Sequence, residues 1–308
     1  LSIRSGSSTP GDHVVTSSME HNSVMRPLRT LEKKGVSLTV VPCSTSGVLD
    51  PERIESALTD RTRLAVLTHA SNVTGTLMPI AEIGRRLRRR GVLLVVDTAQ
   101  TAGCRTIDMR ADHIDILAFT GHKALLGPTG TGGMVIGERV DPERFVPLLQ
   151  GGTGSASERE YQPTFLPDML ESGTINAMGL AGLTAGIGFL NRIRIEGVQT
   201  HEERLTRRLL DGLSAIPGVT VYGPADPTHM TATVSFSIHG MSSATAGEKL
   251  DTAFGILCRT GLHCAPAAHR TIGTFPGGTV RFSLGIHNTT ADAEAAVKAV
   301  AALARRTT

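Results

Sequence analysis

Short apolar runs separated by helix-like stretches organise the first half of the chain. His13 to Thr16, Leu38 to Val41, Leu64 to Thr68, Val92 to Val96 and Ile114 to Phe119 each predict a strand. The runs do not alternate apolar with polar residues, so both faces of the sheet they form must be covered. Helix starts lie between them. Asp50-Pro51 offers an N-cap followed by proline in the first turn. Pro79 opens a helical pattern that runs to about Arg90 and stops at Gly91. Strands separated by helices predict an α/β fold on a mainly parallel sheet covered by helices.

The pattern then changes. Asn176 to Glu196 predicts a long helix and Thr200 to Ala215 a second. Strands are expected at Val219 to Tyr222, Thr231 to Ile238, near Ile256, and at Val280 to Leu284. Helices are expected near Ala244 to Phe254 and from Ala291 to Arg305. Antiparallel pairing is expected in this smaller C-terminal α/β unit. The boundary falls near residue 190, inside the long helix, giving units of 1–190 and 191–308.

Polar residues follow three of the apolar runs. Val92 to Val96 delivers Asp97 and then Gln100; Ile116 to Phe119 delivers Thr120, His122 and Lys123; Leu64 to Leu67 leads to Asn72. Ligands of open α/β sheets sit at the carboxyl ends of strands, so these residues are expected to meet in one crevice. A lysine there can form a Schiff base, and an aspartate can face a pyridinium nitrogen, which together suit pyridoxal 5'-phosphate. Thr120 and His122 flank the lysine and can hold a phosphate. Each residue also has a plain structural reading: strand-end carboxylates cap helices and strand-end lysines face water. Spacing alone does not choose.

Composition narrows the field. With 308 residues, 40% apolar and 19% charged, the chain can build a core and is not disordered. Lys plus Arg is 31 against 28 for Asp plus Glu, a net charge of +3, too balanced for a nucleic-acid partner. The basic run from Arg85 to Arg90 reads as the solvated face of a helix. No run reaches the ~18 apolar residues of a membrane span, and no signal peptide is visible. Cys43, Cys104, Cys258 and Cys264 lack CxxC spacing, so neither a metal site nor a disulfide framework is expected. Free thiols fit a cytoplasmic enzyme. The chain opens at Leu1 and enters a Ser/Gly stretch from Ser5 to Ser8, so an upstream segment is expected to be missing.

The segment from Phe119 to Gly133 resembles the lysine motif of class V aminotransferase-fold enzymes, the cysteine desulfurases and their relatives. Six further stretches fit that family in order: Gly11 to Ser23, Ser71 to Thr76, Asp97 to Gln100, Glu171 to Asn176, Arg259 to Ala265 and Val280 to Leu284. The resemblance implies fold type I and pyridoxal 5'-phosphate. Lys123 is then the Schiff-base lysine that also carries the Cα proton, and Asp97 faces the pyridine nitrogen. His21 stacks on the ring and takes part in proton transfer, filling an aromatic role in a chain without Trp. Asn72 and Gln100 lie near the phenolic oxygen, and Thr120 and His122 hold the phosphate. Gly173 and Thr174 reach the phosphate of the other subunit of a homodimer, and they also suit a helix N-cap. Arg281 binds the substrate carboxylate, with Arg259 and Asn72 as further contacts.

Cys264 matches the cysteine that takes sulfur from L-cysteine, leaving alanine and a protein persulfide for a sulfur-acceptor protein. His263 and Arg259 beside it are expected to favour a thiolate. The short spacing to Arg281 resembles the group with a compact cysteine loop, and Ala265 to Gly273 resembles a less studied branch of it. Cys43, Cys104 and Cys258 match no motif and read as structural thiols. Leu1 to Pro10 resembles only the end of a helix that follows a phosphate-capping loop. Rival readings are selenocysteine lyase, aminotransferase or another reaction on the same fold, and a non-catalytic partner protein that keeps only the fold.

Overall fold

The computed structural model describes residues 11–305; the features read at Leu1 to Pro10 lie outside them. The first sheet contains β1 (His13–Ser17), β2 (Ser37–Val41), β3 (Thr62–Thr68), β4 (Leu93–Asp97), β5 (Ile116–Thr120) and β6 (Gly132–Ile136). Its order is β2-β1-β3-β4-β5-β6, parallel throughout except for β5 with β6. Val14, Val15, Ala65, Val66, Leu67, Leu94 and Val96 are buried on both faces, as unalternating runs require. The register sets Thr68 level with Asp97, and Asp97 level with Ala118.

The pattern gives no strand at β6, and the reason is local. Gly133 lies over the Phe119 ring, where an added Cβ would sit 2.7 Å from the ring carbon, so two glycines stand where strand-forming residues would announce a strand. Helix α1 (Asn22–Lys33) is likewise unannounced. Its N-cap is His21, an unusual capping residue, and Pro27 interrupts its interior.

Helix α2 (Pro51–Ser56) starts where expected, with the Asp50 carboxylate accepting from the Glu52 amide. Helix α3 (Ile80–Arg89) buries Ile80, Ile83 and Leu87. Its arginines lie on the opposite face, where Arg86 pairs with Glu82 and Glu55, so the basic run is a solvated helix face. The long helix expected from Asn176 to Glu196 breaks at Arg194, whose φ of 65° leaves the helical region. It divides α4 (Ala177–Ile193) from α5 (Ile195–Ser214).

The second sheet is antiparallel, with order β7-β8-β10-β9. It comprises β7 (Val219–Tyr222), β8 (Thr233–Ile238), β9 (Arg259–Gly261) and β10 (Thr279–Ser283). Helix α6 (Ser243–Phe254) is capped by the Ser242 hydroxyl and closed by Gly255 in the left-handed region. That turn delays the next strand, expected near Ile256, to Arg259. Helix α7 (Pro266–Thr271) and helix α8 (Thr290–Ala304) complete the chain. Leu209, Leu213, Phe236, Leu250, Val280 and Leu303 form the core of this unit. Ala265, Ala268 and Ile272 pack instead into the core of the first sheet, so the segment around α7 is anchored across the two units.

Candidate active site

Four strands of the first sheet deliver side chains at their carboxyl ends. β1 leads to His21, β3 to the turn holding Asn72, β4 to Asp97 and Gln100, and β5 to Thr120, His122 and Lys123. β9 and β10 of the second sheet supply Arg259 and Arg281 from the other side. His21, Asn72, Gln100, Lys123, Arg259 and Arg281 line one cleft of about 260 Å³. A larger depression of about 600 Å³ beside β6 contains none of the candidate residues. The two walls meet at the turn 71–76. Gly75 there has φ 74°, and an added Cβ would lie 2.6 Å from the Thr233 carbonyl, so only glycine lets the second sheet come this close.

Lys123 opens to solvent on one side and is crowded on the others. Desolvation lowers its pKa, Asp97 opposes this, and Arg281 and Arg259 lower it further. A lysine so placed offers more of the free amine that attacks a carbonyl. The pKa of His21 is also lowered, by burial first and then by Lys123, against the pull of Asp97. Its Nδ1 accepts from the Ser23 amide at 3.1 Å, which leaves the ring proton on Nε2. Among the described residues, Asp97 is the one acid acting on both groups. Its Oδ1 accepts from the Ala99 amide at 2.9 Å.

Arg281 donates from Nη1 to the Asn72 carbonyl at 2.7 Å, while its buried Nε has no partner. Burial, then Arg259, lowers its pKa to about 10, so it remains a cation at neutral pH. Asn72 donates from Nδ2 to the His263 carbonyl at 2.7 Å, and its buried Oδ1 also lacks a partner. An unsatisfied guanidinium donor and an unsatisfied amide acceptor on one cleft wall suit a ligand that carries both a carboxylate and a donor.

Cys264 is exposed on a turn only four residues long, between β9 and α7. His263 and Cys264 both adopt left-handed backbone, with φ of 50° and 59°. Three hydrogen bonds hold them there. The Asn22 amide donates to the Cys264 carbonyl at 2.8 Å, Asn72 holds the His263 carbonyl, and His263 Nε2 meets the Thr279 hydroxyl at 3.0 Å. Arg259 Nη2 lies 3.7 Å from the sulfur.

One expectation is corrected. His263 does not supply positive charge to the neighbouring thiol. It is buried, and desolvation, with Arg281 and His269 nearby, drives its pKa down to about 3. It is a neutral anchor, and Arg259 is the cation beside the sulfur. Thr120 and His122 face each other at 2.8 Å outside the cleft lining. Gly173 and Thr174 are exposed in the segment before α4, away from the cleft lining. Cys43 and Cys104 are buried, and burial raises their thiol pKa values to about 11 and about 12, as befits inert thiols. Cys104 nonetheless lines the cleft, as does Glu202 of α5. Glu202 carries no sequence signal, because its Arg105 partner is far away along the chain.

The class-V aminotransferase family model matches residues 2–296. The chain belongs to that family. A probable cysteine desulfurase of Methanothermobacter thermautotrophicus is 40% identical over 281 residues, 91% of this chain and 70% of the relative. A probable cysteine desulfurase of Halalkalibacterium halodurans is 34% identical, covering 94% of this chain and 70% of its own. Among solved structures, the apo cysteine desulfurase of Thermococcus onnurineus superposes with a TM-score of 0.89 at 32% identity, over 96% of this chain and 73% of the other. The cysteine desulfurase CsdA of Escherichia coli gives 0.86 at 27% identity, over 97% and 73%. Members of this class-V family depend on pyridoxal phosphate. The cleft fits that group: an amine of lowered pKa faces an aspartate, with an imidazole beside both. No described helix is long and apolar enough to cross a membrane.

Proposed function

We propose that this chain is a pyridoxal-phosphate-dependent cysteine desulfurase that converts L-cysteine to L-alanine and takes the sulfur onto Cys264 as a persulfide. The observation that carries this reading is the cysteine turn. An exposed thiol, fixed by hydrogen bonds from both halves, stands 3.7 Å from Arg259 and beside the cleft that Lys123 and Arg281 line.

Lys123 would hold the cofactor aldehyde, Asp97 its pyridine nitrogen and His21 its ring face. Gln100 and Asn72 would meet its phenolic oxygen, and Thr120 and His122 its phosphate. When bound, the cofactor supplies the electron sink that makes the substrate Cα proton removable. Arg281 binds the substrate carboxylate through a planar fork, using the Nε that lacks a protein partner. Lys123 carries the Cα proton. The Cys264 sulfur, with Arg259 stabilising its negative charge, attacks the substrate sulfur. An S–S bond forms and the C–S bond breaks. The electron pair stays on the substrate carbon, which takes up a proton to give alanine. Gly173 and Thr174 would complete the phosphate site of a second copy in a homodimer, and an acceptor thiol would clear the persulfide. Four free thiols suit a reducing, cytoplasmic setting.

The test is the absorbance spectrum of the loaded protein before and after L-cysteine, with alanine and sulfide assayed. Lys123→Ala should lose the lysine-bound cofactor band. Cys264→Ala should keep that band and lose persulfide transfer. A Cys264→Ala protein that still passes sulfur from cysteine to an acceptor overturns the nucleophile assignment. Activity confined to selenocysteine would instead establish a lyase.

A further inference from the structure

Glu20 lies between β1 and α1, one residue before His21, and is fully buried. Its Oε1 accepts from the Ser17 hydroxyl at 2.5 Å and from the Thr68 amide at 3.1 Å. Its Oε2 is buried without a partner. Thr68 is level with Asp97 across β3 and β4, and the His69 amide donates to the Asp97 carbonyl at 2.8 Å. The two bonds to Glu20 therefore join the end of β1, which leads to His21, to the end of β3, the neighbour of the strand that carries Asp97.

The charged and titratable groups around Glu20 can be named element by element. Asp97 of β4 is a like charge that disfavours ionisation of Glu20. Cys43, beyond β2, is a neutral thiol. Arg26, Arg29 and Lys33 of α1 and Arg270 of α7 share with Glu20 a groove between these helices. All four are exposed, so water and salt screen them. Among the described residues, the groups that act on Glu20 are Ser17, Thr68 and Asp97, and none is a cation. Ionised, the carboxyl would be an unpaired buried anion next to another. Protonated, it leaves one O–H without an acceptor. Burial penalises the first state far more than the second.

We propose that Glu20 is a positioning residue of the active site, a carboxylic acid that keeps its proton, ties the end of β1 to the end of β3, and leaves Asp97 as the one acid acting on both Lys123 and His21. The chemistry it serves rests on the desulfurase reading; its protonation state does not. Burial lifts its pKa to about 8 against the pull of Ser17 and Thr68. Above that pH a second negative charge appears beside Asp97.

Glu20→Gln keeps the Oε1 acceptor and removes the titration, whereas Glu20→Ala removes the link. Infrared difference spectra, wild type minus Glu20→Gln, of the cofactor-free full chain at pH 7 should show a protonated-carboxyl C=O band, the contribution of Glu202 being common to both proteins. In the pyridoxal-phosphate-loaded enzyme, Glu20→Ala should lower kcat for L-cysteine by about tenfold or more, with KM changed by less than about twofold. Glu20→Gln should restore most of kcat and abolish the alkaline fall in activity expected of the wild type near pH 8. Absence of the band, wild-type kcat in Glu20→Ala, or an alkaline fall retained by Glu20→Gln each overturns the proposal. If no protein in the series turns over cysteine, the desulfurase reading fails and the infrared band alone decides the state of Glu20. If Glu20→Ala does not fold, the band and the Glu20→Gln profile still decide.

Discussion

Replacing Arg105 by methionine should destabilise the protein strongly, and more at alkaline than at acid pH. Arg105 and Glu202 form an ion pair at 3.3 Å, with both side chains 5% exposed. The guanidinium also donates to the Cys104 and Met230 carbonyls, each at 2.6 Å. Burial nevertheless raises the Glu202 pKa to about 7, outweighing the help from Arg105, so desolvation already exceeds the attraction. Removing the cation strands a carboxyl and two carbonyls, and breaking such a pair costs about 3–5 kcal/mol. An unfolding entropy of about 2.1 cal/mol/K per residue gives roughly 0.6 kcal/mol/K for 308 residues. The midpoint should therefore fall by roughly 5–8 °C at pH 8. The sign of the pH effect follows from Glu202. Its folded pKa is raised, so its contribution is fully present below the unfolded value and is lost as pH rises through the folded value. Without Arg105 the folded value rises further, and the penalty of the substitution should shrink at pH 5. Pairing Arg105→Met with Glu202→Leu should recover at least half of the loss, because a buried ion pair can be exchanged for packed apolar groups. Thermal melts at both pH values test this. A single variant that melts within roughly 2 °C of wild type at pH 8, or equally at both pH values, refutes the reasoning.

Two further predictions concern the cleft. Arg281→Lys should raise KM for L-cysteine by about tenfold while keeping the cofactor band, because an ammonium cannot reproduce the fork; an unchanged KM in steady-state assays removes Arg281 from carboxylate binding. His263→Gln should flatten the acid loss of stability. The folded pKa of His263 is depressed to about 3, so below 6.5 the unfolded chain binds a proton that the folded chain refuses. That difference amounts to ~2 kcal/mol at pH 5. Urea midpoints of variant and wild type that fall in parallel from pH 7 to 5 would show that the imidazole does not resist protonation.

Much of the frame is legible in the sequence because apolar burial on both faces leaves a direct mark. Val14-Val15, Leu64 to Leu67 and Leu93 to Val96 can be read as central strands from their residues alone. The polar residues that end those strands are legible for the same reason, since the run defines where the carboxyl end lies. β6 is not, because backbone proximity at Gly133 demands glycine where a strand would otherwise show itself. The role of His263 is hidden because adjacency to Cys264 says nothing about which way a side chain turns; the left-handed backbone sends it inward to Thr279. The Arg105–Glu202 pair and the tie from Glu20 to Thr68 join distant positions, and no local pattern announces them.

The turn that presents Cys264 is bolted to α1, to the turn after β3 and to β10. Its backbone therefore has no slack, and the thiol can travel only among the staggered positions about its single side-chain bond. On the proposed reading, sulfur held there would be on a fixed mount rather than on a swinging arm. Delivery would then fall to the recipient, whose own thiol would have to come to Cys264.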